Sequence, residues 1–161
     1  MSNRDIVHRE VINDLLVRLF NQILDIESRY MRAHGIVDIS ISELHLLETI
    51  STFDYPTMSD IAQKAMLTNG SVTIAIKRLE EKGYVIRQKD QQDRRVIRVR
   101  LTSKAIKSCQ IHQSFHDDMV ANICDDSPVI EDEILLQSLQ QLVYFFDEVK
   151  EKYIEESIWK E

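Results

Sequence analysis

Hydrophobic residues recur at helical spacing over most of the chain, and the first such pattern covers about residues 5–33. Its main apolar stripe contains Val7, Val11, Leu15, Leu19, Ile23, Ile26 and Tyr30. A second stripe beside it contains Ile12, Leu16, Phe20 and Leu24. A helix that is apolar over so wide an arc must bury more than one side. We therefore expect one side to pack on its own chain and the other to meet a partner subunit.

Capping residues divide the next part of the chain into three shorter helices. Ser40 or Ser42 can cap the first of them. Thr57 and Asp60 predict a capping box for the second, because the threonine hydroxyl accepts an orphan N–H while the acid reaches back. Gly83 is typical of the residue that follows a helix end. The predicted helices cover about residues 41–53, 58–66 and 69–82.

Alternation then replaces helical spacing and predicts a β-hairpin. Residues 84–87 alternate weakly, as in a short strand, and residues 89–94 form a polar turn. In residues 96–101, two arginines alternate with apolar residues, which predicts the returning strand. The central part of the chain is therefore three helices and a hairpin, the order of elements in a winged helix-turn-helix.

Long helices are expected on both sides of this central unit. The two that follow it cover about residues 103–124 and 130–157, and Pro128 starts the last one. The predicted fold class is mainly α with a small β-hairpin, a winged helix-turn-helix lobe plus a helical dimerisation domain. The N-terminal dimerisation helix, the winged lobe and the C-terminal dimerisation helices are assigned to residues 1–36, 37–102 and 103–161.

Composition excludes several other classes of protein. Three glycines and two prolines in 161 residues are too few for a turn-rich sandwich, and 43% hydrophobic residues are enough for a core. No apolar run approaches the roughly 20 residues that span a bilayer, and the polar N-terminus has no apolar signal core. We therefore expect a cytoplasmic protein without membrane association. Two cysteines argue against a disulfide framework.

Charge is divided unevenly along the chain. The net charge of −7 argues, by itself, against a nucleic-acid partner. Residues 57–104, however, contain 11 lysines and arginines against 5 aspartates and glutamates, whereas residues 117–161 contain 3 against 13. Local charge decides what a surface attracts within about one Debye length, roughly 8–10 Å. The chain is therefore expected to have two surfaces with different partners, one of them basic.

The helix predicted over residues 69–82 fits the major groove of DNA, which admits one helix with small polar residues at its start. Its first turn also presents free N–H groups to phosphate. Lys77 and Arg78 can add phosphate contacts, and the apolar Ile74 can touch a thymine methyl. The outward positions are Thr68, Asn69, Gly70, Ser71, Thr73, Ile74, Lys77 and Arg78.

The turn of the hairpin carries a second candidate DNA contact. Arg94 and Arg95 at its tip suit the minor groove, whose negative potential is strongest where the groove is narrow. Asp93 is expected to hold one of the two guanidinium groups by a bidentate pair. The alternative is that the basic hairpin is only a solvated edge that discourages strand pairing, in a helical domain that never touches DNA.

The stretch from Leu67 to Thr102 resembles the signature of the MarR family of regulators. It contains Thr-Asn-Gly-Ser-Val-Thr at residues 68–73, Leu-Glu-Glu-Lys-Gly-Tyr-Val at 79–85, and Asp-x-x-Asp-Arg-Arg at 90–95. The resemblance implies a homodimer in which the terminal helices of both chains interlock and two winged lobes bind a pseudo-palindromic operator in double-stranded DNA. Residues 68–78 would be the recognition helix.

Three segments, at residues 38–45, 92–96 and 112–120, are similar to a narrower group within that family, the FabT repressors of fatty-acid synthesis genes. This similarity implies that long-chain acyl-acyl-carrier-protein enhances DNA binding, with its acyl chain in an apolar tunnel between the dimerisation helices and the lobe. The residues assigned to this effector pocket are Phe20, Leu24, His45, His112, Phe115 and His116.

Other chemistry is weaker in this sequence. His112 and His116 are one helical turn apart, a spacing that can bind Zn²⁺, but the sequence places no acidic or cysteine ligand near them. We interpret them as partly buried, hydrogen-bonded histidines and assign no metal and no cofactor. Cys109 and Cys124 lie about 22 Å apart along one helix, too far for a disulfide bond within one chain. They are interpreted as buried thiols, and a bond between subunits or a sulfenate sensor is the alternative.

An enzyme is not expected, because the chain has no Gly-rich phosphate loop and no nucleophile elbow. Two alternatives to a lipid-responsive regulator stay open. One is a winged-helix module that docks on another protein, and the other is a MarR-type regulator that senses another small ligand or zinc.

Overall fold

The computed structural model describes residues 3–125 and 132–158. This part of the chain contains six α-helices and one antiparallel hairpin, as the sequence predicts. In chain order the elements are α1 Asn3–Ala33, α2 Ile41–Ser51, α3 Met58–Ala65, α4 Asn69–Glu81, β1 Val85–Lys89, β2 Ile97–Leu101, α5 Ser103–Asp125 and α6 Glu133–Ile158. The predicted start of the last helix at Pro128 lies outside the described residues.

Two compact units divide the chain, at residues 1–115 and 116–161. The first contains α1 to α4, the hairpin and the first half of α5, and the second contains the rest of α5 and α6. The assignment of separate dimerisation segments to residues 1–36 and 103–161 remains a prediction.

Among the described residues of α1, the buried side chains lie near its C-terminal end. Glu27 and Met31 are buried there, and the helix ends in a turn with Gly35 in the left-handed region, at φ +81°. The backbone N–H of Ile36 closes this turn by donating to the carbonyl of Met31 at 2.9 Å. The rest of the helix leaves many large apolar side chains exposed: Ile6, Val7, Val11, Ile12, Leu15, Val17, Leu19, Phe20, Ile23 and Ile26.

Reciprocal caps begin α2 and α3. Ser40 caps α2: its hydroxyl accepts from the backbone N–H of Glu43 at 3.2 Å, and the Glu43 carboxylate accepts from the N–H of Ser40 at 2.8 Å. Thr57 and Asp60 repeat this arrangement at α3. The capping box predicted at residues 57–60 is confirmed, and of the two serines considered for α2, Ser40 is the cap.

A tight turn joins α3 to α4. Met66 adopts a left-handed conformation, at φ 52°, and lets the N–H of Leu67 donate to the carbonyl of Ala62 at 2.9 Å. Thr68 then caps α4 by accepting from the N–H of Ser71 at 3.1 Å. Gly83, at φ +77°, follows the end of α4, as the sequence predicts.

The first strand of the hairpin continues further toward the turn than expected. β1 pairs with β2 from Val85 opposite Leu101 to Lys89 opposite Ile97, so the first strand extends two residues beyond the predicted end at residue 87. Arg98 also forms an isolated antiparallel bridge with Thr57. This bridge attaches the returning strand to the start of α3 and makes the wing part of the lobe.

One apolar core joins α2, α3, α4 and the hairpin. Its most deeply buried members include Leu44, Leu47, Ile50, Ile61, Val72, Ile76, Leu79, Tyr84, Val85, Val99 and Ala105. A polar contact reinforces it, because the Lys82 ammonium at the end of α4 donates to both Glu43 carboxylate oxygens, at 2.7 and 2.8 Å. The residue that caps α2 therefore also holds the C-terminal end of α4.

In the second unit, α6 carries a row of exposed apolar side chains that includes Ile134, Leu139, Val143, Tyr144, Phe145 and Phe146. Surface of this kind marks a site of association. Within the described residues, no helix combines the length and the hydrophobicity that crossing a bilayer requires.

Replacing Glu43 with Gln should lower the free energy of unfolding by about 1–2 kcal/mol at pH 7, since hydrogen bonds between charged groups contribute roughly this much. Burial raises the pKa of Glu43, but hydrogen bonds from Lys82 and Ser40 outweigh it, so the pKa lies below its ordinary value of 4.5. The contribution is therefore present above that pH and is lost as the pH falls through the lowered pKa. Urea unfolding between pH 7 and pH 3 measures both effects.

The control is Glu81→Gln, which removes an exposed carboxylate 4.0 Å from the Lys77 ammonium. Exposed pairs contribute little, so we expect a change below about 0.5 kcal/mol. Equal losses in the two variants would contradict the role given to Glu43.

Candidate nucleic-acid interface

α4 presents one face to solvent and buries the other. Val72, Ile76 and Leu79 are buried in the core of the lobe. The predicted recognition positions are all exposed: Thr68, Asn69, Gly70, Ser71, Thr73, Ile74, Lys77 and Arg78. The structure thus brings the whole predicted set onto one accessible surface, and contact of this surface with DNA remains a prediction.

The first turn of this surface is organised by hydroxyl groups. The hydroxyl of Thr68 lies 2.9 Å from that of Ser71, and the hydroxyl of Thr73 donates to the carbonyl of Asn69 at 2.7 Å. Each hydroxyl keeps capacity for a further hydrogen bond, because it carries one donor and two acceptor sites. The turn is therefore pre-organised and still able to contact an outside group.

Basic side chains follow one and two turns later. Lys77 lies 4.0 Å from Glu81, and both side chains are about two-thirds exposed. A pair this long and this exposed is weak, so the ammonium of Lys77 can move to a phosphate at little cost. Arg78 is exposed beside it on the same helix.

Arg94 and Arg95 are exposed in the turn between β1 and β2, at the tip of the wing. The expected bidentate pair between Asp93 and one of these guanidinium groups is wrong. Asp93 instead accepts from the backbone N–H of Arg95 at 2.9 Å. Its short side chain closes the local turn, and the side chains of both arginines are exposed.

The side chains that brace the wing are ones the sequence analysis missed. Asp90 accepts from the backbone N–H groups of Gln92 and Asp93, at 3.1 and 3.2 Å, and from Nε of Arg98 at 2.5 Å. Arg98 also donates to the carbonyl of Tyr55 at 2.6 Å. These hydrogen bonds hold the pKa of Asp90 below its usual range, with Arg98 the largest cause. An aspartate that opens a polar turn was the available signal, because its side chain bonds the backbone two residues on.

A second bridge joins the wing to the recognition helix. The guanidinium of Arg87 on β1 donates to the carboxylate of Glu80 on α4 at 2.6–2.7 Å, and the backbone N–H of Arg87 donates to it at 3.2 Å. The exposed face of α4 and the wing arginines therefore lie on one braced body.

Two histidines converge on a buried carboxylate in the same unit. Glu27 of α1 is 2% exposed, and its Oε1 lies 3.2 Å from Nε2 of His45 and within hydrogen-bond distance of Nε2 of His112. Nδ1 of His112 lies 2.5 Å from a carboxylate oxygen of Glu48. Nothing in the sequence indicated an acidic residue near His112, because Glu27 lies 85 residues away along the chain.

The contacts of His112 favour its charged form. An ionised carboxylate only accepts hydrogen bonds, so carboxylates at both ring nitrogens favour the imidazolium, in which both nitrogens donate. Burial lowers the pKa of His112, but the hydrogen bonds to Glu48 and Glu27 outweigh burial and raise it. The ligand atoms of Glu27, His45 and His112 also lie within 4.8 Å of one another. Hydrogen bonding accounts for this spacing without an ion.

The residues assigned to an effector pocket are only partly brought together. The rings of His45 and Phe115 flank that of His112, with centroids 5.2 and 6.3 Å away. Leu24 is half-buried one turn before Glu27, and Phe20 is 65% exposed. His116 is half-buried and belongs to the second unit. The pocket remains a prediction.

The two cysteines are half-buried on α5. Burial raises the pKa of the Cys109 thiol to about 11, and the charge of Glu48 adds to the shift. A thiol with so high a pKa is a poor nucleophile, which agrees with the interpretation of Cys109 as an apolar side chain.

A braced lobe with an exposed polar helix and a basic wing defines the class of winged helix-turn-helix DNA-binding proteins. Comparison with known proteins agrees. The model of the MarR family matches residues 39–97. The structure of Streptococcus pneumoniae FabT in complex with DNA has a TM-score of 0.80 and 34% identity to this chain, covering 88% of it and 99% of FabT. The chain belongs to the MarR family, whose members are transcription regulators rather than enzymes.

Other relatives are more distant or shorter in overlap. MhqR, an HTH-type transcriptional regulator of Bacillus subtilis, is 32% identical over 92 residues, which are 57% of this chain and 61% of MhqR. The chain spans between half and two thirds of the length of several curated relatives that it matches. The YusO protein from Bacillus subtilis, with 21% identity and a TM-score of 0.63 over 91% of this chain and 99% of YusO, shares the fold.

Replacing His112 with Gln should lower the free energy of unfolding by about 3 kcal/mol or more at pH 6, because it leaves a buried carboxylate without its cation. The pKa of His112 is raised above 6.5 in the folded chain, so its contribution is complete below that pH and is lost as the pH rises through the raised pKa. Urea unfolding at pH 6, 7.5 and 9 should show a shrinking difference from wild type.

His34→Gln is the matched control, because His34 is exposed at the end of α1 and contacts its own helix, through the Tyr30 carbonyl and ring. We expect a change below about 0.5 kcal/mol and no trend with pH. Added zinc or a chelator should not change the stability of the wild type. A zinc-dependent rise that His45→Gln abolishes would show that a metal rather than a proton joins these groups.

Proposed function

We propose that the chain is a homodimeric repressor that binds a pseudo-palindromic operator. In each subunit, α4 lies in the major groove, and Arg94 and Arg95 reach the adjacent minor groove. One observation carries this proposal. The exposed face of α4 and the wing arginines are fixed to one lobe by the Glu80–Arg87 and Asp90–Arg98 pairs. A rigid surface between two contacts holds them in register with DNA and lowers the entropic cost of making both.

Exposed apolar surface supports the dimer. α1 and α6 each leave a row of large apolar side chains in contact with solvent. A monomer rarely exposes this much contiguous apolar surface. A second copy of the chain would cover these rows and set the distance between the two recognition helices. Operator spacing then follows from the geometry of the dimer.

Fatty-acid synthesis genes are the proposed targets, with long-chain acyl-acyl-carrier-protein as the effector. The support is the 34% identity to FabT over 88% of the chain and the three FabT-like segments in the sequence. The acyl chain would lie among Phe20, Leu24, His45, Phe115 and their neighbours. The site of action would be the cytoplasm, where this carrier protein and the DNA are both present.

The proposed mechanism is a shift in the spacing of the two lobes. Glu27 belongs to α1, which extends into the apolar row proposed for the dimer, whereas His45 and Glu48 belong to α2 in the lobe. The contacts between them transmit a movement of α1 to the lobe. Suppose that an effector binds the dimer more tightly at one spacing of the lobes than at the other. It would then change DNA affinity by up to the difference between its two binding free energies.

Arg94→Ala and Arg95→Ala should each weaken binding to DNA from upstream of fatty-acid synthesis genes. Each should also lower the slope of log affinity against log salt concentration by about one, because each removes one positive charge that lies near the phosphates. Fluorescence anisotropy over a salt series, with and without long-chain acyl carrier protein, measures both. The control is Arg29→Ala, an exposed arginine on α1 paired with Asp25, which should leave the slope unchanged.

The outcomes separate the parts of the proposal. Salt-sensitive binding that the acyl carrier tightens supports it in full. Binding that ignores the carrier keeps the regulator and removes the lipid effector. Unchanged binding by the wing variants shows the wing assignment to be wrong. Absence of binding to these promoters and to a random DNA library would favour a module that docks on another protein.

A further inference from the structure

Ile74 stands out on the exposed face of α4 because it is apolar among polar and basic neighbours. It is 57% exposed, with Thr73 beside it and Lys77 one turn later. A single exposed isoleucine is common on protein surfaces, so this observation alone decides nothing. It becomes informative together with the residue one turn before it.

Gly70 occupies that place, and nothing within the chain requires a glycine there. Its backbone does not adopt the left-handed region that explains Gly35 and Gly83. A Cβ at this position would meet only the Thr68 hydroxyl, at an ordinary 3.8 Å. Glycine is less favourable than alanine in a helix. A requirement from outside the chain, the close approach of another molecule, therefore explains the residue better.

Gly70 and Ile74 are neighbours on the helix surface. Residues four apart lie one above the other, and a helical side chain leans toward the N-terminal end of its helix. The side chain of Ile74 therefore leans toward the turn that contains Gly70. The pair places an exposed apolar side chain beside a position without a side chain, at the part of α4 that would enter the groove.

The major groove displays one apolar group that an exposed isoleucine can contact, the C5 methyl of thymine. We propose that Ile74 contacts a thymine methyl in each half-site and that Gly70 provides the clearance that lets α4 come close enough. This inference rests on the proposed function, because it names the base that the recognition helix reads.

Replacing thymine by uracil in the operator removes only the methyl group and so tests the contact directly. In the wild type, one uracil position in each half-site should weaken binding about fifteenfold, because it removes two buried methyl groups at about fourfold each. Ile74→Ala should bind more weakly and be indifferent to that uracil. Lys77→Ala is the control: it should bind more weakly with a smaller salt slope but keep the uracil effect.

Two results would overturn this inference. The first is wild-type binding that no uracil position weakens, and the second is an Ile74→Ala variant that keeps the wild-type uracil effect. In both cases salt-sensitive binding would show that the proposed function survives. A chain that binds no DNA overturns the proposed function and this inference together.

Gly70→Ala tests the clearance separately. The melting temperature should stay equal or rise, because alanine favours the helix and has room, while the affinity for the operator should fall at least tenfold. Asn69→Ala is the comparison variant, because its operator affinity measures the loss of a polar side chain from the same turn. Full affinity in a folded Gly70→Ala variant would overturn the close approach.

Discussion

A buried negative charge on the first helix is the constraint around which the first unit is arranged. Removing the carboxylate of Glu27 from water costs several kcal/mol unless a cation and hydrogen bonds compensate. His45 and His112 supply them from α2 and α5. Because the compensation comes from two different helices, α1 can occupy only the position at which both histidines reach it. Apolar packing alone would allow sliding, whereas this contact does not.

A different constraint applies to the lobe, in which α4 and the hairpin must keep a fixed position relative to each other without a large core. Hairpins of two strands are marginal by themselves. Here the hairpin is fastened at both ends: Arg87 binds Glu80 of α4, and Arg98 reaches Asp90 and the carbonyl of Tyr55 before α3. The basic residues of this region are thus of two kinds. Arg87 and Arg98 hold the structure, and Arg94 and Arg95 face solvent.

Local features of the fold could be predicted from sequence, and non-local ones could not. The caps at Ser40 and Thr57 depend on windows of four residues, so Thr57 was predicted correctly and the cap of α2 was narrowed to two serines. The exposed face of α4 followed from helical spacing. The contact between Glu27 and His112 joins residues 85 positions apart, and no periodicity indicates it. The role of Asp90 was missed because Asp93 is closer in sequence to Arg94 and Arg95 and was therefore assigned the supporting contact.

The uneven division of charge affects how such a protein would find its operator. Residues 117–161 carry an excess of ten negative charges, and the whole chain carries −7. Within about a Debye length, DNA therefore repels the acidic surface, and only an approach with the basic lobe foremost is attractive. Collisions in other orientations would be brief. The cost is a slower first encounter, and the gain is less time spent on irrelevant DNA during the search.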